Sequence, residues 1–193
     1  ITADNMTGGR TDAGDVLYLN GNLRVRRGGT VLTADLGRYE RTNGLIDLTG
    51  NVRLVDSTTT VTCNHAAFSE TDDRLNLDGD VVIVDRDARL EAPYGWYDRR
   101  NGSAYLGGGV DGREKEQRMR SDEAFYVRDS LLVKARGHVR GWDDSARVEL
   151  GAQRIDFDRG TKVAVATGEP QLLSRDADGV LTTLTARLLR VDS

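Results

Sequence analysis

Glycine recurs along this chain at a fixed interval, and no other feature restricts its fold as strongly. Gly21 opens GNLRV, Gly50 opens GNVRL, Gly79 opens GDVVI, Gly108 opens GGVDG and Gly137 opens GHVRG, each 29 residues after the last. Gly168, in GEPQLL, follows after 31, an insertion of two that keeps strand parity. ITAD at 1–4 matches LTAD at 32–35, so the sequence opens partway through a unit. Self-similarity at such a period marks stacked supersecondary units, each burying its apolar face on its neighbours.

Each unit reads as two long strands. LIDLTGNVRLVD at 45–56 puts Ile46, Leu48, Val52 and Leu54 on one face and Asp47, Asn51 and Arg53 on the other. That period of two belongs to a half-buried strand. The parity recurs at Leu75, Leu77, Gly79, Val81 and Ile83, and at Ala104, Leu106, Gly108 and Val110. A glycine midway along the apolar face suits a bend that carries the strand from one sheet to a second.

The second strand repeats as columns. Leu32, Val61, Leu90, Met119 and Val148 form one, and Ala34, Cys63, Ala92, Ser121 and Leu150 the next. Tyr39, Phe68, Tyr97, Tyr126 and Ile155 lie seven residues after the first column, preceded by Gly37, Ala66, Gly95, Ala124 and Gln153. Seven residues flip the face of an ideal strand, so a bulge or corner is required between them. Asn43-Gly44 and Asn101-Gly102 are hairpin signals, with Asp72-Asp73 and Arg159-Gly160 in the same slot. Gly28-Gly29, Ser57-Thr58 and Asp143-Asp144 serve the opposite end. The predicted architecture is all-β: an antiparallel jellyroll, or β-taco, of two facing sheets. It forms one domain over 1–193, with units starting near 21, 50, 79, 108, 137 and 168.

With 38% hydrophobic and 30% charged residues the chain is globular rather than disordered. A net charge of −4 with both signs intermixed argues against nucleic-acid binding. No apolar run approaches the roughly 18 residues of a membrane span. ITAD is not a leader; a removed signal peptide or a trimmed chain would both produce such a start.

The pieces LTGNVRL at 48–54, LDGDV at 77–81, TAD at 33–35 and the aromatics of GRYE and GWYD make the chain resemble the OstA/LptA family of lipopolysaccharide-transport proteins. The resemblance covers nearly the whole chain and is clearest over 1–110, with Gly112 and Gly141 departing from the pattern. It implies a periplasmic β-jellyroll whose inner groove holds lipopolysaccharide or a related glycolipid. It also implies partners among other β-jellyroll transport components, joined head to tail as homo- or hetero-oligomers.

On this reading the groove is lined by Leu32, Ala34, Tyr39, Ile46, Leu48, Val52, Leu54, Val61, Cys63 and Phe68. It continues over Leu75, Leu77, Val81, Ile83, Leu90, Ala92 and Tyr97. Small residues near the bends would leave space for an acyl chain, unless the crease packs tightly and simply requires them. Strand-edge contacts fall to Ile1, Thr2, Ala3, Leu184, Ala186 and Leu188, at open ends near 1–5 and 181–191.

No cofactor, metal site or catalytic group is expected. Cys63, the sole cysteine, shares a column with Ala34 and Ala92 and reads as a small inward filler. His65 and His138 occupy different slots without a repeated carboxylate beside them. GGGVDG at 107–112 resembles a calcium-binding glycine repeat but occurs once. Arg24, Arg26, Arg53, Arg113, Lys115, Arg118 and Arg120 are suited to lipid phosphates, yet most alternate with the apolar face and read as a solvated surface. Two other functions fit a β-repeat: a structural module that polymerises without lipid, and a β-helical polysaccharide-acting enzyme. The enzyme needs clustered carboxylates in one column, and the columns offer none.

Overall fold

The computed structural model describes residues 1–11, 14–56, 58–98, 100–127 and 132–192. Its elements are all strands: β1 (Asn5–Thr11), β2 (Gly14–Arg27), β3 (Thr30–Glu40), β4 (Leu45–Asp56), β5 (Thr59–Ser69), β6 (Arg74–Asp85) and β7 (Ala88–Asp98). There follow β8 (Ser103–Glu114), β9 (Gln117–Val127), β10 (Leu132–Asp143), β11 (Val148–Asp158) and β12 (Val163–Thr167). The last three are β13 (Gln171–Arg175), β14 (Leu181–Thr185) and β15 (Leu188–Asp192). They form a 15-stranded sheet in chain order from β1 to β12, with β15 beside β12 and with β13 joining β11 to β14. The all-β jellyroll expected from the repeat is the fold observed. Two compact units contain Ile1–Arg86 with Pro93–Arg100, and Asp87–Ala92 with Asn101–Ser193.

In the first unit the bends arise from a repeated irregularity in strand pairing. Asn20 pairs with Leu36 and Leu23 with Ala34, so Gly21 and Asn22 together oppose Asp35. Thr49 pairs with His65 and Val52 with Cys63, so Gly50 and Asn51 oppose Asn64. Two residues against one is a bulge, which bends its strand sharply. Gly50 and Asn51 have φ of 77° and 47°, a left-handed pair that glycine and then asparagine adopt at least cost. The bulge also explains the flip between Leu32 and Tyr39: the ladder breaks between Thr33 and Leu36, so Ala34 and Gly37 face the same way.

Leu19, Leu23, Ala34, Leu48, Val52, Cys63, Ala66, Leu77 and Val81 are buried at the crease, and Leu75 is buried one inward step beyond it. A Cβ at Gly37 would lie 2.5 Å from Leu23 Cδ2, so a side chain from beyond the bend already fills that space. Each large aliphatic buried here contributes about 1.5–3 kcal/mol.

In the second unit Gly108 and Gly109 oppose Asp122, and Gly137 and His138 oppose Gln153. Its core joins Ala135, Val139, Leu150, Ala152, Ile155, Ala166 and Leu189, with Met119, Ala164, Leu172 and Val191 against it.

The columns expected beyond residue 143 are displaced by two. Asp143 pairs with Val148 around a four-residue turn, whereas Glu114 pairs with Gln117 around two. The insertion lies in that turn. Ala152, facing Val139, therefore takes the place given to Leu150, and Ile155 replaces Gln153 in the small column of Gly37. Ile155 is buried and Gln153 exposed.

The Asn43-Gly44 turn also differs from a tight two-residue hairpin. Glu40 pairs with Leu45, leaving four residues in the loop, and only Gly44 of the Asn43-Gly44 pair has positive φ, at 62°. Ser57, expected at the opposite tip, lies outside the described residues.

Candidate functional site

The inward residues of each unit sort by depth. In the first unit Ala34, Leu48, Val52, Cys63, Leu77 and Val81 are buried at the crease, and Leu75, which pairs with Phe68 one inward step further out, is buried as well. Further from the bend, Leu32, Leu54, Val61 and Ile83 on one wing are only half-buried, as are Tyr39, Ile46, Phe68 and Tyr97 on the other. In the second unit Ala92 is buried and Leu90 half-buried. Strand alternation aims both sets inward, while the bend closes the interior only near the crease.

The small residues do not make the space expected of them. A Cβ at Gly50 would meet Asp35 Oδ2 at 2.5 Å, on the outer side of the corner, so this glycine does not line the apolar face. Gly37 is covered by Leu23 and Leu19. The crease is tightly packed, and the large residues of the wings are less completely buried.

A polar row at the corners escaped sequence reasoning. Asn22 Nδ2 donates to Asp4 Oδ2 at 2.8 Å and Asn51 Nδ2 to Asp35 Oδ2 at 2.8 Å. Asn64 Nδ2 donates to Asp80 Oδ2 at 3.0 Å, and His138 Nδ1 lies 2.8 Å from Asp122 Oδ2. The residue after the bend glycine is thus tied to the single residue opposing it. The signal was available: Asp4, Asp35, Asn64 and Asp122 directly follow Ala3, Ala34, Cys63 and Ser121, the equivalent position of each unit. The histidines therefore do have carboxylates nearby, Asp122 at His138 and Asp47 Oδ1 at 4.0 Å from His65 Nε2. Neither pair is joined by further ligands, and no metal-binding group of three occurs among the described residues.

Cys63 is buried and its Sγ donates to the His65 carbonyl at 3.1 Å. Desolvation pushes the thiol up to about 11, so it remains protonated and inert at neutral pH.

The expected edge residues are at strand margins. Thr2 exchanges backbone hydrogen bonds with Arg24 at 2.9 and 2.8 Å, Ala3 is half-buried and Ile1 is 59% exposed. Leu184 pairs with Leu172, Leu188 with Thr167, and the Ala186 amide donates to the Pro170 carbonyl at 3.4 Å. Leu184 and Leu188 are about half exposed, and β1, β14 and β15 each have one strand partner among the described residues.

No family model and no curated protein matches this sequence. Among solved structures it is similar to LptH from Pseudomonas aeruginosa, described as the LptA-homologous periplasmic component of the lipopolysaccharide transport device. The likeness has a TM-score of 0.53 at 12% identity and covers 70% of this chain and 94% of that one. At that identity the likeness is one of fold: the chain has the LptA-like jellyroll.

Proposed function

We propose that this chain is a non-enzymatic periplasmic carrier that holds the acyl chains of lipopolysaccharide, or a related glycolipid, against the inner faces of its bent strands. One observation carries the reading: the inward aliphatic and aromatic residues of the wings, Leu75 apart, are only half-buried beside a sealed crease. Large apolar side chains left only partly buried on an inner face are available to an apolar ligand. An acyl chain laid there gains about 0.8 kcal/mol per buried methylene without needing any polar partner. The likeness to LptH, itself described as a lipopolysaccharide-transport component, supports the choice of ligand.

Native mass spectrometry with purified lipopolysaccharide tests this. The expected result is a stoichiometric complex that Leu54→Asp or Phe68→Asp weakens at least tenfold. A protein that stays free at saturating lipid would reject the reading. It would favour the structural module, to which the tight packing of small residues at the crease also lends support.

The partners follow from the edges. The margins of β1, β14 and β15 are templates for strand addition, and the proposed occupant is another β-jellyroll component or a second copy, joined head to tail. The run LTTLTARLLRV at 181–191 carries only Arg187 and Arg190 as charges and no proline, so little blunts it. Leu184→Pro should abolish association, as read by light scattering, and leave the strand content unchanged by circular dichroism. An edge strand tolerates proline better than a central one. An unaltered assembly state would exclude this edge.

A further inference from the structure

The outer face of the second unit carries an arrangement that neither the fold nor the inner groove requires. Met119 faces inward and pairs with Gly112 on one side and Gly141 on the other. The residues on either side of it face outward in two rows: Arg113, Arg118, Trp142 and Glu149, then Asp111, Arg120 and Arg140. Arg113 directly opposes Arg118, and Arg120 directly opposes Arg140. Like charges in facing positions destabilise a sheet, and sequences break such local rules mostly where function demands it.

The counter-charges do not cover the cluster. Arg120 Nε meets Asp111 Oδ2 at 2.8 Å, Arg118 Nη2 meets Asp144 Oδ1 at 2.9 Å and Arg140 Nη1 meets Glu149 Oε1 at 3.5 Å. Glu114, next to Arg113 in sequence, lies 3.7 Å from Arg159. Arg113 has no ionic or hydrogen-bonding partner among the described residues. Arg118 also lies over the Trp142 ring, 5.8 Å from its centroid. Asp111, Arg113, Arg118, Arg120 and Trp142 line an open depression of about 220 Å³. Enclosed small-molecule pockets run to roughly 300–1,000 Å³, so this one receives part of a ligand.

We propose that this depression binds a phosphorylated sugar, its phosphate bridging Arg113 and Arg118 and its ring lying against Trp142. Guanidinium pairs recognise phosphate oxygens through charge-assisted hydrogen bonds. A bare phosphate would leave the indole unused. Nucleic acid is a poor fit, because the chain has a net charge of −4 and the depression offers a single ring for stacking. The site is on the opposite face of the sheet from Met119 and does not rest on the lipid reading.

The test is titration of glucose 6-phosphate into ¹⁵N-labelled protein, followed at the two indole N–H resonances. The Trp142 signal should shift saturably while that of Trp96 stays still. Glucose should move neither, and inorganic phosphate should bind at least severalfold more weakly. Arg113→Ala, which removes a side chain without a partner, should fold normally and weaken sugar-phosphate binding about tenfold. Trp142→Phe, followed instead at the backbone amides of Asp111 to Arg120, should bring sugar-phosphate affinity down towards that of phosphate. A static Trp142 signal, an Arg113→Ala variant of unchanged affinity, or phosphate binding as tightly as the sugar phosphate would each overturn the proposal.

Discussion

The Asn51 side-chain amide donates to Asp35 Oδ2 at 2.8 Å, tying the second residue of a bulge to the single residue it opposes. Asn22 with Asp4 repeats the bond, so the bend is held by side chains as well as by backbone conformation. Both residues of the bulge have positive φ, and Gly50 also lacks room for a Cβ. Gly50→Ala should therefore cost more than about 2 kcal/mol, from left-handed strain of about 1–2 kcal/mol plus the collision with Asp35. Asn51→Gly should be nearly neutral, losing a hydrogen bond of about 0.5–1.5 kcal/mol but relieving a similar strain. Urea unfolding of the two variants makes the comparison.

The displaced register of the second unit has its own consequence. Ile155 is in the buried core while Gln153 is exposed. Ile155→Ala should destabilise by about 2–4 kcal/mol and Gln153→Ala by under about 0.5 kcal/mol. The original 29-residue columns would put Gln153 at the small inward position and reverse the order.

Much of the fold was legible because a bend glycine, a facing small residue and an alternating apolar pattern each leave a fixed sequence mark. Leu48 and Val52, either side of Gly50, were assigned inward and are buried. What was not legible came from geometry that a linear reading cannot carry. Parity places Gly50 on the apolar face, but positive φ at two successive residues turns it towards Asp35 outside. The two inserted residues between Gly137 and Gly168 could occupy any of several turns, and only the Asp143–Val148 pairing locates them. The room for a ligand was sought among small residues, yet Leu23 reaches across the crease to fill the space at Gly37. The half-open columns, Leu32, Leu54, Val61 and Ile83, consist of large residues.

Burial keeps Cys63 a thiol. With its ionisation pushed up to about 11, the native protein should react with iodoacetamide at pH 8 at least a hundredfold more slowly than in urea. Mass spectrometry of quenched samples reads the rate. Native labelling at the speed of an exposed thiol would place Cys63 outside the crease.

Asp143 caps the long turn. Its carboxylate accepts hydrogen bonds from the Ser145 hydroxyl at 2.6 Å, the Ala146 amide at 2.9 Å and Gln117 Nε2 at 3.0 Å. The Ser145 hydroxyl, then the Ala146 amide, hold its ionisation down to about 2. Because the folded value is below that of the unfolded chain, ionised Asp143 favours folding. The contribution is complete above about pH 4 and is lost as pH falls through about 2. Asp143→Asn should be less stable at pH 7 and show a flatter loss of stability between pH 4 and 2, measured by urea midpoints. Parallel pH curves for the two proteins would mean that the turn does not depend on that charge.

The central claim is that lipid occupies the half-open wings and not the crease or the outer surface. Site-specific photocrosslinking tests it most directly, with a photoreactive residue placed in turn at Leu54, Leu48 and Arg53. Leu54 is an inward wing position, Leu48 is buried at the crease and Arg53 is exposed on the outer face. After loading with lipopolysaccharide and irradiation, the account predicts a glycolipid adduct at Leu54 and none at Arg53, with Leu48 labelled weakly if at all. Labelling at Arg53 equal to that at Leu54, or no adduct at Leu54 from a protein that retains bound lipid, would contradict it.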